Sequence, residues 1–278
     1  MLSKLHALAA LSCFSLSAGI RPSLDLSLCS WNATDILVVA PNQQKGNFLI
    51  AETIKGDTRP GAAVTLDGLV APDGVTSTLR ELAEESAYPF SSKPPFEAAP
   101  PLRLNDRVIV FLRQGAPLEF NPRPDLPVST DGWQPANWHG DLRTSAVWLQ
   151  DGVAYAFVQT INPGPSHLVD FGWTEAKIRE EISAVLQLRR SLDEALGLKE
   201  PGSRAQKLAA LVGSSEPVAS SSALRHLQDG GAAGAESLQE LLAEPSLLLQ
   251  HAAIIDALVR TGVRSLSFSP LLKQETQY

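Results

Sequence analysis

The sequence predicts an α+β fold: an antiparallel β-barrel or sandwich over residues 29–172, then an α-helical, repeat-like region over 174–262. Three observations carry this. Asp151-Gly152 stands between two β-forming runs, TSAVWLQ and VAYAFVQT, which is the strongest short-range hairpin signal. Both faces of that hairpin are apolar, so it belongs inside the molecule and not on a solvated edge. From Thr174 onward the apolar period changes from two to that of a helix.

The β elements follow in order. Residues 20–34 read as an irregular leader, and Asp35–Ala40 (DILVVA) as a short apolar strand. Asn47–Lys55 alternates Phe48, Ile50, Glu52, Ile54 and is a second strand. Lys55-Gly56-Asp57 and Arg59-Pro60-Gly61 are turn chemistry, and Ala62–Leu66 makes a third strand. Thr78-x-x-Glu81 has capping-box spacing and opens a short helix over 79–85. Proline density across 86–103 blocks both helix and ladder, so that stretch is an insertion between strands. Arg107–Arg113 (RVIVFLR) is a strand buried on both faces. In the Asp151-Gly152 hairpin Gln150 should face Val153 and Trp148 should face Tyr155. Trp148, Tyr155 and Phe157 would then share one face, with Val147, Leu149, Ala154, Ala156 and Val158 on the other. Ser166–Phe171 is the last strand.

The helices come next. Ile178, Ile182, Val185, Leu186, Leu192 and Leu196 form one face of a long helix that Gly197 ends, and it should cover the outer face of the hairpin. Ser203-x-x-Gln206 reads as a capping box for a second helix, closed at Gly213. A third holds Ala223, Leu224 and Leu227, and a fourth Leu238, Leu241 and Leu242. A fifth starts at Pro245 with Leu249, Ala252, Ile255, Leu258 and Val259 inward, and stops at Gly262. Leu208, Leu211, Val212 and Ala223 map onto Leu238, Leu241, Leu242 and Ala253 at an offset of 30, the mark of a tandem helical unit. A plain bundle is the alternative. Residues 263–278 form a tail without clear period.

Composition bounds the function. The chain has 278 residues, 44% hydrophobic and 19% charged, with a net charge of −7. That is a globular chain, and its acidity, with no basic cluster, argues against nucleic acid or an anionic membrane as partner. Lys4, the apolar run Leu5–Ile20 and the small residues Ser15, Ser17, Ala18 and Gly19 read as a signal peptide over 1–19, with no membrane span once it is removed. The chain is therefore expected to be secreted or periplasmic. Cys13 leaves with that segment, so Cys29 stands alone and no internal disulfide is expected. Asn32-Ala33-Thr34 is the one glycosylation sequon.

Two resemblances rest on named segments. LAALV…SSALRHLQDGG and LQELL…HAAIIDALVRTG resemble a short HEAT-type repeat. ATDILVVAP…GNFLIAETIKGD…PGAAVTL…NDRVIVFL is similar in layout to the OB-like barrel of netrin-like (NTR-like) domains, which include tissue inhibitors of metalloproteinases. Those inhibitors chelate a protease metal through a mature N-terminal cysteine, near the place of Cys29 here. Cleavage after Leu28 does not suit a signal peptidase, and the family's disulfides are absent, so that mechanism does not carry over.

The residues singled out for function are Trp133, Trp138, His139, Asp141 and Arg143, in DGWQPANWHGDLR. Aromatic rings beside polar groups on a loop make a recognition surface. The alternative is that the tryptophans pin the loop to the β domain. His139, Asp141 and His167 lack metal-ligand spacing, and Ser166 after Pro165 is not a nucleophile elbow, so no metal, cofactor or catalytic residue is assigned. The expectation is a non-enzymatic binding protein whose partner is a protein or other macromolecule of the envelope or extracellular space. A protease-inhibitor-like module comes second and a secreted hydrolase third.

Overall fold

The structure is a computed structural model describing residues 24–42, 47–66, 69, 106–120, 132–158 and 167–262. The signal peptide, the 79–85 helix, the insertion 86–103, Ser166 and the tail lie outside the described residues.

Eight strands form one antiparallel sheet: β1 (Asp35–Pro41), β2 (Asn47–Lys55), β3 (Ala63–Thr65), β4 (Arg107–Arg113), β5 (Gln134–Pro135), β6 (Ala146–Gln150), β7 (Val153–Val158) and β8 (His167–Thr174). The order is β3-β2-β1-β4-β6-β7-β8, with β5 also on β4. The class is α+β, as expected. The finer picture is corrected: among the described residues β3 and β8 are free ends, so this is one open sheet instead of a closed barrel. Register shifts at Ile36/Leu37 and Val38/Val39 bend β1 against β2, because a bulge locally increases strand twist.

The hairpin is as the sequence predicts. Asp151 (φ 51°) and Gly152 (φ 81°) both adopt the left-handed conformation of a type I′ turn. Gln150 pairs with Val153 and Trp148 with Tyr155. The strands are interior, and alternation sorts their side chains. Val147, Leu149, Ala154 and Ala156 enter one apolar cluster with Ile36, Val38, Ile109 and Phe111. Trp148 and Phe157 enter the other with Leu37, Val39, Phe48, Ile50, Val108 and Val110.

Helices close the first of these faces. The 20–34 leader is corrected: it contains α1 (Leu26–Asn32), whose N-cap Asp25 carboxylate accepts from Leu28 N at 2.8 Å. Cys29 of α1 joins the sheet cluster while Trp31 joins the helical one, so α1 is wedged between the layers. The long helix α2 (Glu175–Leu196) is capped by Thr174 Oγ1 and spans both cores. Ile178 and Ile182 cover the sheet, and Val185, Leu192 and Ala195 pack into the helices.

The remaining helices are α3 (Pro201–Val212), α4 (Pro217–Gln228), α5 (Gly231–Leu242) and α6 (His251–Arg260), with a 3-10 turn over Pro245–Gln250. The start of α3 is corrected from the Ser203 capping box. Pro201 takes the first position, where its missing N–H costs nothing, and the Glu200 carboxylate caps Gly202 and Ser203. Of the positions matched at an offset of 30, Leu208, Leu211 and Val212 in α3 and Leu238, Leu241 and Leu242 in α5 are all buried, as are Ala205 and Ala235, but the pair Ala223 and Ala253 is corrected: Ala223 is buried and Ala253 is exposed. In contrast, the inward face of the fifth helix is corrected. The chain breaks at Leu247 and enters α6 at a new phase. Leu258 is buried and Ile255 packs partly buried against the helical core as expected, but Leu249 and Val259 are 89% and 62% exposed, Ala252 is exposed, and Ile254 and Ala257 are buried instead.

Candidate functional site

The loop that carries the sequence-predicted residues is anchored from beneath. β5 pairs with β4 and holds its first strand-like residues. Buried Asn137 donates from Nδ2 to the Thr144 carbonyl (2.7 Å) and hydroxyl (2.9 Å), and its Oδ1 accepts from His139 N (3.1 Å). Buried Ser145 donates to the Phe111 carbonyl at 2.7 Å and accepts from Ala136 N at 3.0 Å. Asn137 and Ser145 also flank the Cys29 sulfur, at 3.9 and 3.7 Å. A buried polar group left unpaired is costly, and here the donors and acceptors match, which fixes the loop's path.

The five predicted residues divide into two groups. Trp133 is half-buried and packs against the second sheet face, as Leu142 and Tyr155 also do. Asp141 caps the 3-10 turn Leu142–Ser145 and holds the Arg143 guanidinium at 2.7 Å; that guanidinium lies 4.4 Å over the Phe157 ring. These three residues serve the loop itself. Trp138 and His139 form the second group. Their rings stack on each other at 3.9 Å, with Trp138 half-buried and His139 exposed. Partial desolvation lowers the His139 pKa and outweighs the pull of Asp141, so the imidazole is neutral at pH 7. The pair places two stacked rings on the loop, one half-buried and one exposed.

Cys29 is fully buried, and desolvation pushes its thiol up to about 12 despite hydrogen bonds from Ser145 and Asn137. Its backbone N–H bonds the Asp25 carbonyl within α1, and Leu24 and Leu26 upstream are core residues. A chain beginning at Cys29 would lose both, so this position does not offer the free chelating terminus of the inhibitors. The sequon is likewise committed: Asn32 is buried and exchanges hydrogen bonds with the Glu119 backbone. Among the described residues no three His, Cys, Asp or Glu side chains converge on a metal position. No single described helix is long and apolar enough to cross a membrane.

A groove elsewhere in the fold was not anticipated. A groove of about 550 Å³ runs between the end of β2 and α2, lined by Glu52, Thr53, Ile54, Lys55, Arg179, Ser183, Leu186, Arg189, Arg190 and Asp193. Its walls are far apart in sequence, so no local pattern marks it. The i, i+4, i+7, i+11 spacing of Arg179, Ser183, Leu186 and Arg190 on one helix face was the available signal. No family model, curated protein or solved structure matches the chain.

Proposed function

We propose that the protein is a non-catalytic binding module acting in the periplasm or outside the cell, and that it holds a protein or other macromolecular partner through the loop carrying Trp138 and His139. The observation that carries this reading is the division of labour within the loop. Asn137, Asp141, Arg143, Thr144 and Ser145 are spent on internal bonds, whereas the Trp138–His139 stack at 3.9 Å reaches the surface. An aromatic anchor on a pre-organised loop binds with little entropic loss, because the loop is ordered before the partner arrives. Extracytoplasmic action is supported by the Lys4 and Leu5–Ile20 pattern. The tandem helices are read as a short HEAT-like array that braces the sheet and sets the rigidity of the loop.

The test is capture from extracellular or envelope fractions by immobilised protein, with Trp138→Ala/His139→Ala alongside. The expected result is a partner retained by the wild type and lost by the variant, whose circular dichroism and melting are unchanged. Equal capture by a folded variant removes the stacked pair from the binding surface.

A further inference from the structure

We propose that the outer face of α6 is a docking surface for the segment of this chain that follows it, residues 263–278, and that this segment caps the stacked helices. Four large hydrophobic side chains are exposed among the described residues, and three of them, Leu248, Leu249 and Val259, fall in this one stretch. A single exposed leucine is ordinary, whereas a contiguous row marks a surface that takes a partner. Leu247 alone has non-helical angles in the 3-10 turn, so the chain from Leu248 runs into α6 in one phase. Helical spacing puts Leu249, Ala252, Asp256 and Val259 in one row, with Leu248 and Ala253 beside it. Ala252 and Ala253 are exposed too, and their size lets a neighbouring segment lie close. Asp256, the acidic group in the row, pairs with Arg260 at 3.0 Å. The row is thus apolar at both ends and carries one matched charge between them. α6 is the last described helix, and stacked helices need a polar or covered outer face at the end of the stack.

The choice of occupant rests on the chain itself. α6 stops at Gly262 in the left-handed conformation (φ 68°), an ending that turns the chain aside from the helix. Gly262 N donates to the Val259 carbonyl at 3.4 Å, so the following segment starts at one end of the row. Its first part holds Val263, Leu266, Phe268, Leu271 and Leu272. The row from Leu249 to Val259 is about 15 Å long. Residues 263–272 can span roughly 30 Å, enough to run back along all of it. A tethered segment meets the face at an effective concentration of about millimolar, well above that of a dilute second copy. Contact removes apolar surface from water on both sides, which supplies the driving force.

The experiment follows trypsin cleavage of the full chain after Arg264 and Lys273 by mass spectrometry, with sedimentation velocity on the same samples. Wild type is expected to be a monomer and to be cut slowly at both sites. Leu249→Ser, at an exposed position of the described chain, should keep the circular dichroism spectrum and be cut about tenfold faster, the effect of losing one buried leucine. Phe268→Ser should act in the same direction. The double variant should be cut faster by less than the product of the two single effects, because both side chains serve one contact. Leu49→Ser, at the exposed leucine of β2, should leave the rate unchanged. A wild-type cleavage rate in Leu249→Ser overturns the proposal. So does a wild-type dimer that Leu249→Ser dissociates, which would make a second copy the occupant.

Discussion

At the scale of single residues, Glu119 does most to join the two layers. Its carboxylate accepts from Trp31 Nε1 of α1 (2.9 Å), Arg189 of α2 (2.5 Å) and Ser222 of α4 (2.9 Å). Burial alone would raise its pKa, but the bonds from Trp31, Arg189 and Ser222 and the Arg189 charge outweigh it, and the value is lowered. A carboxyl lowered in the folded state stabilises above its unfolded value of about 4.3 and loses that contribution as pH falls through the folded value. Glu119→Gln should therefore cost about 2 kcal/mol at pH 7, by leaving buried donors poorly matched, and flatten the acid limb of the stability–pH profile. Urea unfolding from pH 7 to pH 3 measures both; an unchanged acid limb would contradict this role. Cys29, with its thiol near 12 and no exposure, should resist iodoacetamide at pH 8 in the native protein and react once it is unfolded. None of the Glu119 contacts is legible in the sequence, because its three partners lie 70 to 103 residues away.

Elements were legible in proportion to how local their determinants are. The Asp151-Gly152 hairpin was readable to the register because turn chemistry and alternation are written within the thirteen residues from Ala146 to Val158. A Cβ on Gly152 would meet nothing, so Gly152→Ala should cost only the left-handed backbone term of about 1 kcal/mol. Gly234 is the opposite case. Its backbone is ordinary, but a Cβ there would lie 1.9 Å from the Leu227 carbonyl oxygen and 3.0 Å from its carbon. Gly234→Ala must therefore push α5 from α4, and we expect a loss of about 2 kcal/mol or more, seen as a lower urea midpoint. Equal costs at the two glycines would argue against the tight α4–α5 crossing. Elements missed from sequence have tertiary causes. α1 is seven residues long, too short to persist alone, and exists because two cores grip it. Part of the α6 face, Leu249, Ala252 and Val259, was misassigned because the non-helical Leu247 resets the phase, which a periodic reading cannot see.

At the scale of the whole molecule, two hydrophobic cores share one helix. The amino-terminal half of α2 completes the sheet core and the carboxy-terminal half completes the helical one. The cover over the hairpin was foreseeable, since strands apolar on both faces require one. The groove beside it was not, since strand and helix meet there only in the fold. The same shared core reaches the loop through Cys29, so the loop's framework and the scaffold should unfold together. A rigid scaffold that leaves one aromatic pair free makes a sharp demand on urea unfolding of two neighbouring variants. Asn137→Ala removes the hub of the loop and should cost about 2 kcal/mol. Trp138→Ala should cost under about 1 kcal/mol, the worth of one ring stack. The reverse order, with Trp138 the more costly, would make that tryptophan a packing residue and contradict the role of the stacked pair.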